Sequence, residues 1–242
     1  MRGDERRDQI AANIERVEGR IATACAAAGR ERSDVTVVAV TKTFPVEDVI
    51  HLHALGVRDV GENRDQDASR KVDACRAAGV TDLVWHFVGQ VQRNKAATVT
   101  AYADMVHSVD RLRLVSALQK GATASGRKVT CLVQVDLRDV PVDDGRGGAA
   151  PPDVDEIAAA LAGSDALVLG GLMAVAPLDG DPASADRAFA RLSELSRQLR
   201  STHPSASVVS AGMSGDLEQA VAHGATHLRI GSALLGSRPA LG

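Results

Sequence analysis

The chain has 242 residues, a formal net charge of −3 and three cysteines, and is 45% hydrophobic but only 2% aromatic. This balance lacks the basic face of a nucleic-acid binder, and its longest uncharged apolar stretch, 166–178, falls short of the ~18 residues of a membrane span and contains two glycines and a proline. Cys25, Cys75 and Cys131 are odd in number and far apart, against a disulfide framework or zinc site, and the charged opening MRGDERRDQI lacks the apolar core of a secretory signal, so a reducing cytoplasm is the expected setting.

The first element is an amphipathic helix. Ile10, Ile14, Val17, Ile21 and Cys25 recur at steps of four and three, and Gly29 ends the run. Short runs rich in Val, Leu and Ile then alternate with helical stretches. The strand candidates are Val35 to Val40, Arg58 to Gly61, Leu83 to Val88, Met105 to Ser108, Val129 to Val135, Leu167 to Leu172, Ser207 to Ser210 and His227 to Ile230. Each crossover helix buries one face of a parallel sheet, so eight such units predict an α/β fold: one (β/α)8 TIM barrel with an extra N-terminal helix, spanning 1–242 as one domain. A doubly wound open sheet is the alternative. The helix Ser184 to Arg200 sets Phe189, Leu192, Leu195 and Leu199 on one face and charges on the other. Residues 137–152, LRDVPVDDGRGGAAPP, are rich in Gly, Pro and Asp and read as a long loop.

In such barrels the reactive residues stand at the C-terminal ends of the strands. Lys42 follows the first strand and shares the face of Val38 and Val40. An amine there loses water, which disfavours its charged form, and a neutral amine attacks carbonyls to form a Schiff base. The competing reading is a lysine that snorkels to solvent. At the far end of the chain, Ser210-Ala211-Gly212-Met213-Ser214-Gly215-Asp216 follows strand seven and Arg229-Ile230-Gly231-Ser232 closes strand eight. Loops at these two positions often build a phosphate site. Ser210, Ser214 and Ser232 offer hydroxyls, and Gly212 and Gly231 offer unobstructed amides. A Schiff-base lysine facing a phosphate cradle suggests pyridoxal 5′-phosphate (PLP). Arg229 beside the pyridine nitrogen would keep that nitrogen unprotonated; a salt bridge to a carboxylate such as Glu62 is its alternative.

Seven segments resemble the PLP homeostasis proteins, the YggS/PROSC family, whose fold is like the N-terminal barrel of bacterial alanine racemase. They are AVTKTFP (39–45), GEN with Gln66 (61–66), HFVGQVQRNK (86–95), HSVD (107–110), GLMAV (171–175), SAGMSGDLEQA (210–220) and RIGSALLG (229–236). They occur in family order across nearly the whole chain. The resemblance implies that Lys42 carries PLP as an internal aldimine, that Asn63 and Met173 line the cofactor pocket, that Ser210, Gly212, Met213, Ser214, Gly231 and Ser232 hold the phosphate, and that Arg229 faces the pyridine nitrogen. The sequence departs from the family pattern at Arg64, where an aromatic is usual, at Ala211, where a methionine is common, and at Ser232, where a threonine is common. The segment 137–152 also replaces a usual Lys-Gly-containing stretch. His86, Asn94 and Lys95 belong to a family signature without an assigned role, and His86 also reads as a hydrogen-bonded core residue at the end of strand three.

Racemisation on PLP needs an acid and a base on opposite faces of the substrate carbon. The only tyrosine, Tyr102, precedes strand four, and the tyrosine that serves the second face in alanine racemase has no counterpart. The expected function is therefore a PLP carrier that regulates intracellular PLP, and with it vitamin B6, without substantial amino-acid turnover. The alternative is a PLP-dependent enzyme such as a weak amino-acid racemase, and a third is a barrel that has lost its ligand. Expected partners are PLP and apo PLP-dependent enzymes as recipients, with no nucleic acid or membrane, and the expected state is a monomer. His51 and His53 sit two apart on a helix and suggest no metal, and Asp65, Asp67 and Asp73 read as solvated helix faces.

Overall fold

The computed structural model describes residues 3–138, 147–177 and 181–236. Helices and strands alternate as α1 (Gly3–Ala27), β1 (Thr36–Val40), α2 (Val46–Ala54), β2 (Asp59–Glu62), α3 (Asp65–Ala77), β3 (Val84–Phe87), α4 (Ala96–Tyr102), β4 (Met105–Val109), α5 (Leu112–Ser125), β5 (Val129–Gln134), α6 (Val154–Ala162), β6 (Leu167–Met173), α7 (Pro182–Thr202), β7 (Val208–Ser210), α8 (Leu217–Ala222), β8 (His227–Ile230) and α9 (Ser232–Leu235). The strands follow sequence order around a closed parallel barrel. Thr36 pairs with His227 and Ala39 with Ile230, which joins β1 to β8 and brings the end of the first strand beside the end of the last. The open-sheet alternative is excluded by this closure.

Each helix packs through the apolar stripe its sequence provides. Ile10 and Ile21 of α1 and Phe189, Leu192 and Leu199 of α7 are all at most 1% exposed, and full burial of one such side chain is worth about 1.5–3 kcal/mol. Arg187, Arg191, Glu194 and Arg197 of α7 face solvent. α1 also crosses the end of the chain's last described turn: Arg6 forms an ion pair with Asp48 of α2 at 2.6 Å and donates to the Leu235 carbonyl at 2.9 Å, while Asn13 donates to the Leu234 carbonyl at 2.7 Å. Half of the predicted loop after β5, residues 139–146, lies outside the described residues; its far end returns as a bridge between Val135 and Ala149. Among the described residues no helix is long and apolar enough to cross a membrane.

Candidate functional site

A cavity of about 370 Å³ opens at the C-terminal ends of β1, β7 and β8. Lys42, Met213, Ser214, Arg229, Gly231 and Ser232 line it together, and Val40, Phe44, Val88 and Val175 supply apolar wall. The volume is of the order that encloses a small cofactor.

Lys42 reaches this cavity because its backbone is held on both sides. The preceding residue, Thr41, is fully buried; its hydroxyl donates to Glu62 Oε1 at 2.5 Å, and its carbonyl accepts from Lys71 Nζ at 2.7 Å. Lys71 Nζ also meets Glu62 Oε1 at 2.5 Å, with the Glu62 side chain only 1% exposed. The following residue, Thr43, has φ of 69°, the one positive φ outside glycine among the described residues. A β-branched residue in the left-handed region costs on the order of 1–3 kcal/mol, and such strain persists only where the surroundings impose it.

The opposite wall is made of small residues. Gly212 has φ of +87°, and a Cβ there would come within 2.5 Å of the Ala220 side chain, so the turn after β7 admits no side chain at this position. A Cβ on Gly231 would stand 3.4 Å from the Val40 carbonyl oxygen. The Ser214 and Ser232 hydroxyls lie 3.3 Å apart, and Ser214 Oγ also accepts from the Ala233 amide at 3.2 Å. Two hydroxyls converging on one point, with glycine backbone beside them, form a cradle suited to an anion.

Arg229 forms the floor. Its guanidinium donates to Ser210 Oγ at 2.7 Å and to the Ala174 carbonyl at 2.9 Å. Burial pushes its pKa down to about 10, against the opposing pull of Asp216. Arg229 therefore remains a cation at neutral pH and offers donors only. The alternative salt bridge to Glu62 does not form: Glu62 is engaged by Thr41 and Lys71.

The other residues singled out from the sequence lie nearby but outside this cavity. Met173 lines a neighbouring hollow of about 270 Å³ that shares Val88 and Val175 with it. Asn63 lines another of about 340 Å³ with Arg64 and Lys95. Ser210 is fully buried beneath the floor, bonded to Arg229 and to His107, and Gly212 shapes the turn rather than lining the cavity. Asp65 is no solvated helix face: it is 9% exposed at the start of α3, and Lys95 stands 3.8 Å from its carboxylate. Tyr102 is 5% exposed, and burial, reinforced by the carboxylates of Asp65 and Glu62, pushes its pKa upward. Sequence reasoning missed Lys71, whose signal was its place on the same helical stripe as Ala68, Val72 and Cys75. Among the described residues no group of three His, Cys, Asp or Glu side chains is arranged to hold a metal ion.

The family model "Alanine racemase, N-terminal domain" matches residues 6–239. The pyridoxal phosphate homeostasis protein of Mycobacterium tuberculosis is 40% identical over 250 residues, covering 97% of this chain and 95% of that one. That of Escherichia coli K12 is 33% identical over 238 residues, covering 96% and 97%. The chain belongs to the pyridoxal phosphate homeostasis protein family. A solved member of similar fold is PipY of Synechococcus elongatus with PLP bound, at a TM-score of 0.81 and 30% identity, covering 94% of this chain and all of that one (100%). The family's match to the alanine racemase N-terminal domain accords with the closed barrel and its N-terminal helix.

Proposed function

We propose that this chain binds PLP through Lys42 and holds and releases it, so regulating the cell's PLP rather than turning over amino acids. The observation that carries this reading is the meeting of Lys42, the Ser214–Ser232 hydroxyl pair and Arg229 in one cavity of cofactor size. The residues fit the group. When bound, PLP supplies an aldehyde that condenses with a primary amine, and a phosphate. Lys42 is the amine, set at the end of β1 by Thr41, Glu62 and Lys71. Ser214, Ser232, Gly231 and Met213 grip the phosphate, with Gly212 and Ser210 supporting them from behind. Asn63 and Met173 approach from the flanking hollows. Relatives that share the family carry the name of PLP homeostasis, and the PipY structure was solved with PLP.

Arg229 supports the carrier over the racemase. A guanidinium donates and does not accept, so a ring nitrogen beside it keeps its lone pair and the ring draws electrons weakly. Tyr102 is buried in α4 and lines no part of the cavity, so it supplies no proton to a second face of a substrate carbon. The chain acts in the cytoplasm as a monomer and delivers PLP to apo-enzymes.

The test is direct. Protein incubated with PLP and reduced with borohydride gains the mass of one cofactor on Lys42, and Lys42→Ala gains none. Amino-acid racemisation at an ordinary enzymatic rate, about 1–10³ s⁻¹, would overturn the carrier reading.

A further inference from the structure

The interior of a parallel barrel is normally filled by layers of branched apolar side chains. Here a column of polar side chains runs down it from the cavity floor. Arg229 of β8 donates to Ser210 Oγ of β7 at 2.7 Å. Ser210 Oγ meets His107 Nδ1 of β4 at 2.9 Å, His107 Nε2 meets His86 Nδ1 of β3 at 2.9 Å, and His86 Nε2 meets Asp59 Oδ1 of β2 at 2.9 Å. Ser210 and His107 are 0% exposed and His86 1%. Asp59 opens β2, at the end of the barrel opposite Lys42, and its side chain is 26% exposed.

The two ends fix the direction of each hydrogen. A guanidinium has only donors and a carboxylate only acceptors. With both rings neutral, Ser210 accepts from Arg229 and gives its one proton to His107 Nδ1. His107 then carries its hydrogen on Nε2 and donates to His86, which carries its own on Nε2 and donates to Asp59. Burial, and after it the fields of His86, Arg229 and His227, hold the His107 pKa well below its ordinary value and favour the neutral ring. His227 stands beside the column, its ring 6.2 Å from that of His86 and its Nδ1 on Thr226.

We propose that Asp59, His86 and His107 are positioning residues for the cofactor, acting as a one-directional hydrogen-bond relay. They draw the Ser210 proton downward and leave a Ser210 lone pair facing Arg229. The guanidinium, with the Ala174 carbonyl as its second acceptor, is thereby held in the orientation that meets the cofactor ring. This rests on the reading of the cavity as a PLP site. In the opposite arrangement, an imidazolium at His86 donates from both nitrogens, reverses His107 and leaves the Ser210 hydroxyl pointing elsewhere.

Two measurements test the relay. In ligand-free protein with isotope-labelled histidines, NMR finds His86 and His107 both with hydrogen on Nε2, and Asp59→Ala redistributes the His107 hydrogen although the two residues do not touch. An imidazolium at His86, or a His107 tautomer indifferent to Asp59→Ala, overturns the relay. With PLP, His107→Leu weakens binding about three- to tenfold, the effect of one hydrogen bond lost, and shifts the absorption band of the bound cofactor. His107→Gln, whose amide keeps a donor and an acceptor, restores both. Should His107→Leu fail to fold, Asp59→Ala carries the same comparison of affinity and band. Unchanged affinity and band in the broken variant, or no recovery in His107→Gln, overturns the positioning role. Wild-type protein that takes up no PLP defeats the proposed function and the positioning role with it, while the tautomers still decide the relay.

Discussion

Facing walls of the cavity are held by different physics. The β7–β8 wall is neutral and local: glycine turns that exclude a side chain, and two serines that meet across 3.3 Å. The β1–β2 wall is ionic and longer in range: Lys71 reaches across 30 residues of sequence to the Thr41 carbonyl and nine to Glu62. Losing a hydroxyl from the first leaves the backbone where it was. Losing a charge from the second leaves its partner buried without compensation, so the wall that presents the amine is tied to folding itself.

Lys71→Met should break that contrast most severely. It strands the Glu62 carboxylate, and loss of one member of a buried pair costs about 3–5 kcal/mol. The urea midpoint should fall accordingly; an unchanged midpoint means the ion pair does not hold this wall. Acid acts next, on the histidines beneath the cavity floor. Burial, with the field of His86, pushes the His227 pKa down to about 4, and that of His107 is also lowered. Both native values lie below the unfolded one, so their contribution is intact above about pH 6.5 and declines as pH falls; for His227 the loss runs down to about pH 4 and amounts to about 3 kcal/mol. Urea midpoints measured across this range should decline, and His227→Gln should flatten the decline. The smallest effect on folding belongs to the neutral wall. Ser232→Ala should leave stability within about 0.5 kcal/mol yet weaken PLP binding about three- to tenfold, read by spectroscopic titration. A large loss of stability there would erase the distinction between the walls.

The same contrast decides what could be read from the sequence. The strand candidates fall within one residue of the observed strands at every boundary, because Val, Leu and Ile runs bounded by turns are local signals. The serine and glycine loops were legible for the same reason, and so was Lys42, as the residue that ends an apolar strand. Lys71 and Asp65 were not, and Glu62 reads only as a partner for Arg229. A charge on a helix reads as solvated, and only the closed barrel brings Lys71 under Thr41. The column Asp59, His86, His107 and Ser210 was legible only in part: His86 reads as a hydrogen-bonded core residue, and it is one, but Ser210 reads as a phosphate hydroxyl, and nothing local joins four residues that come from four strands. Asn63 and Met173, implied by resemblance alone, line adjoining hollows, the one at Met173 sharing Val88 and Val175 with the cavity.

The strap made by α1 has a temporal consequence. Arg6 and Asn13 grip carbonyls 229 and 221 residues further along the chain, and the serine turn they brace stands beside the end of β1, whose lysine is made early in translation. A nascent polypeptide thus carries its lysine long before the serine turn exists, and on the proposed reading the two halves of the site meet only when the last strand pairs with the first.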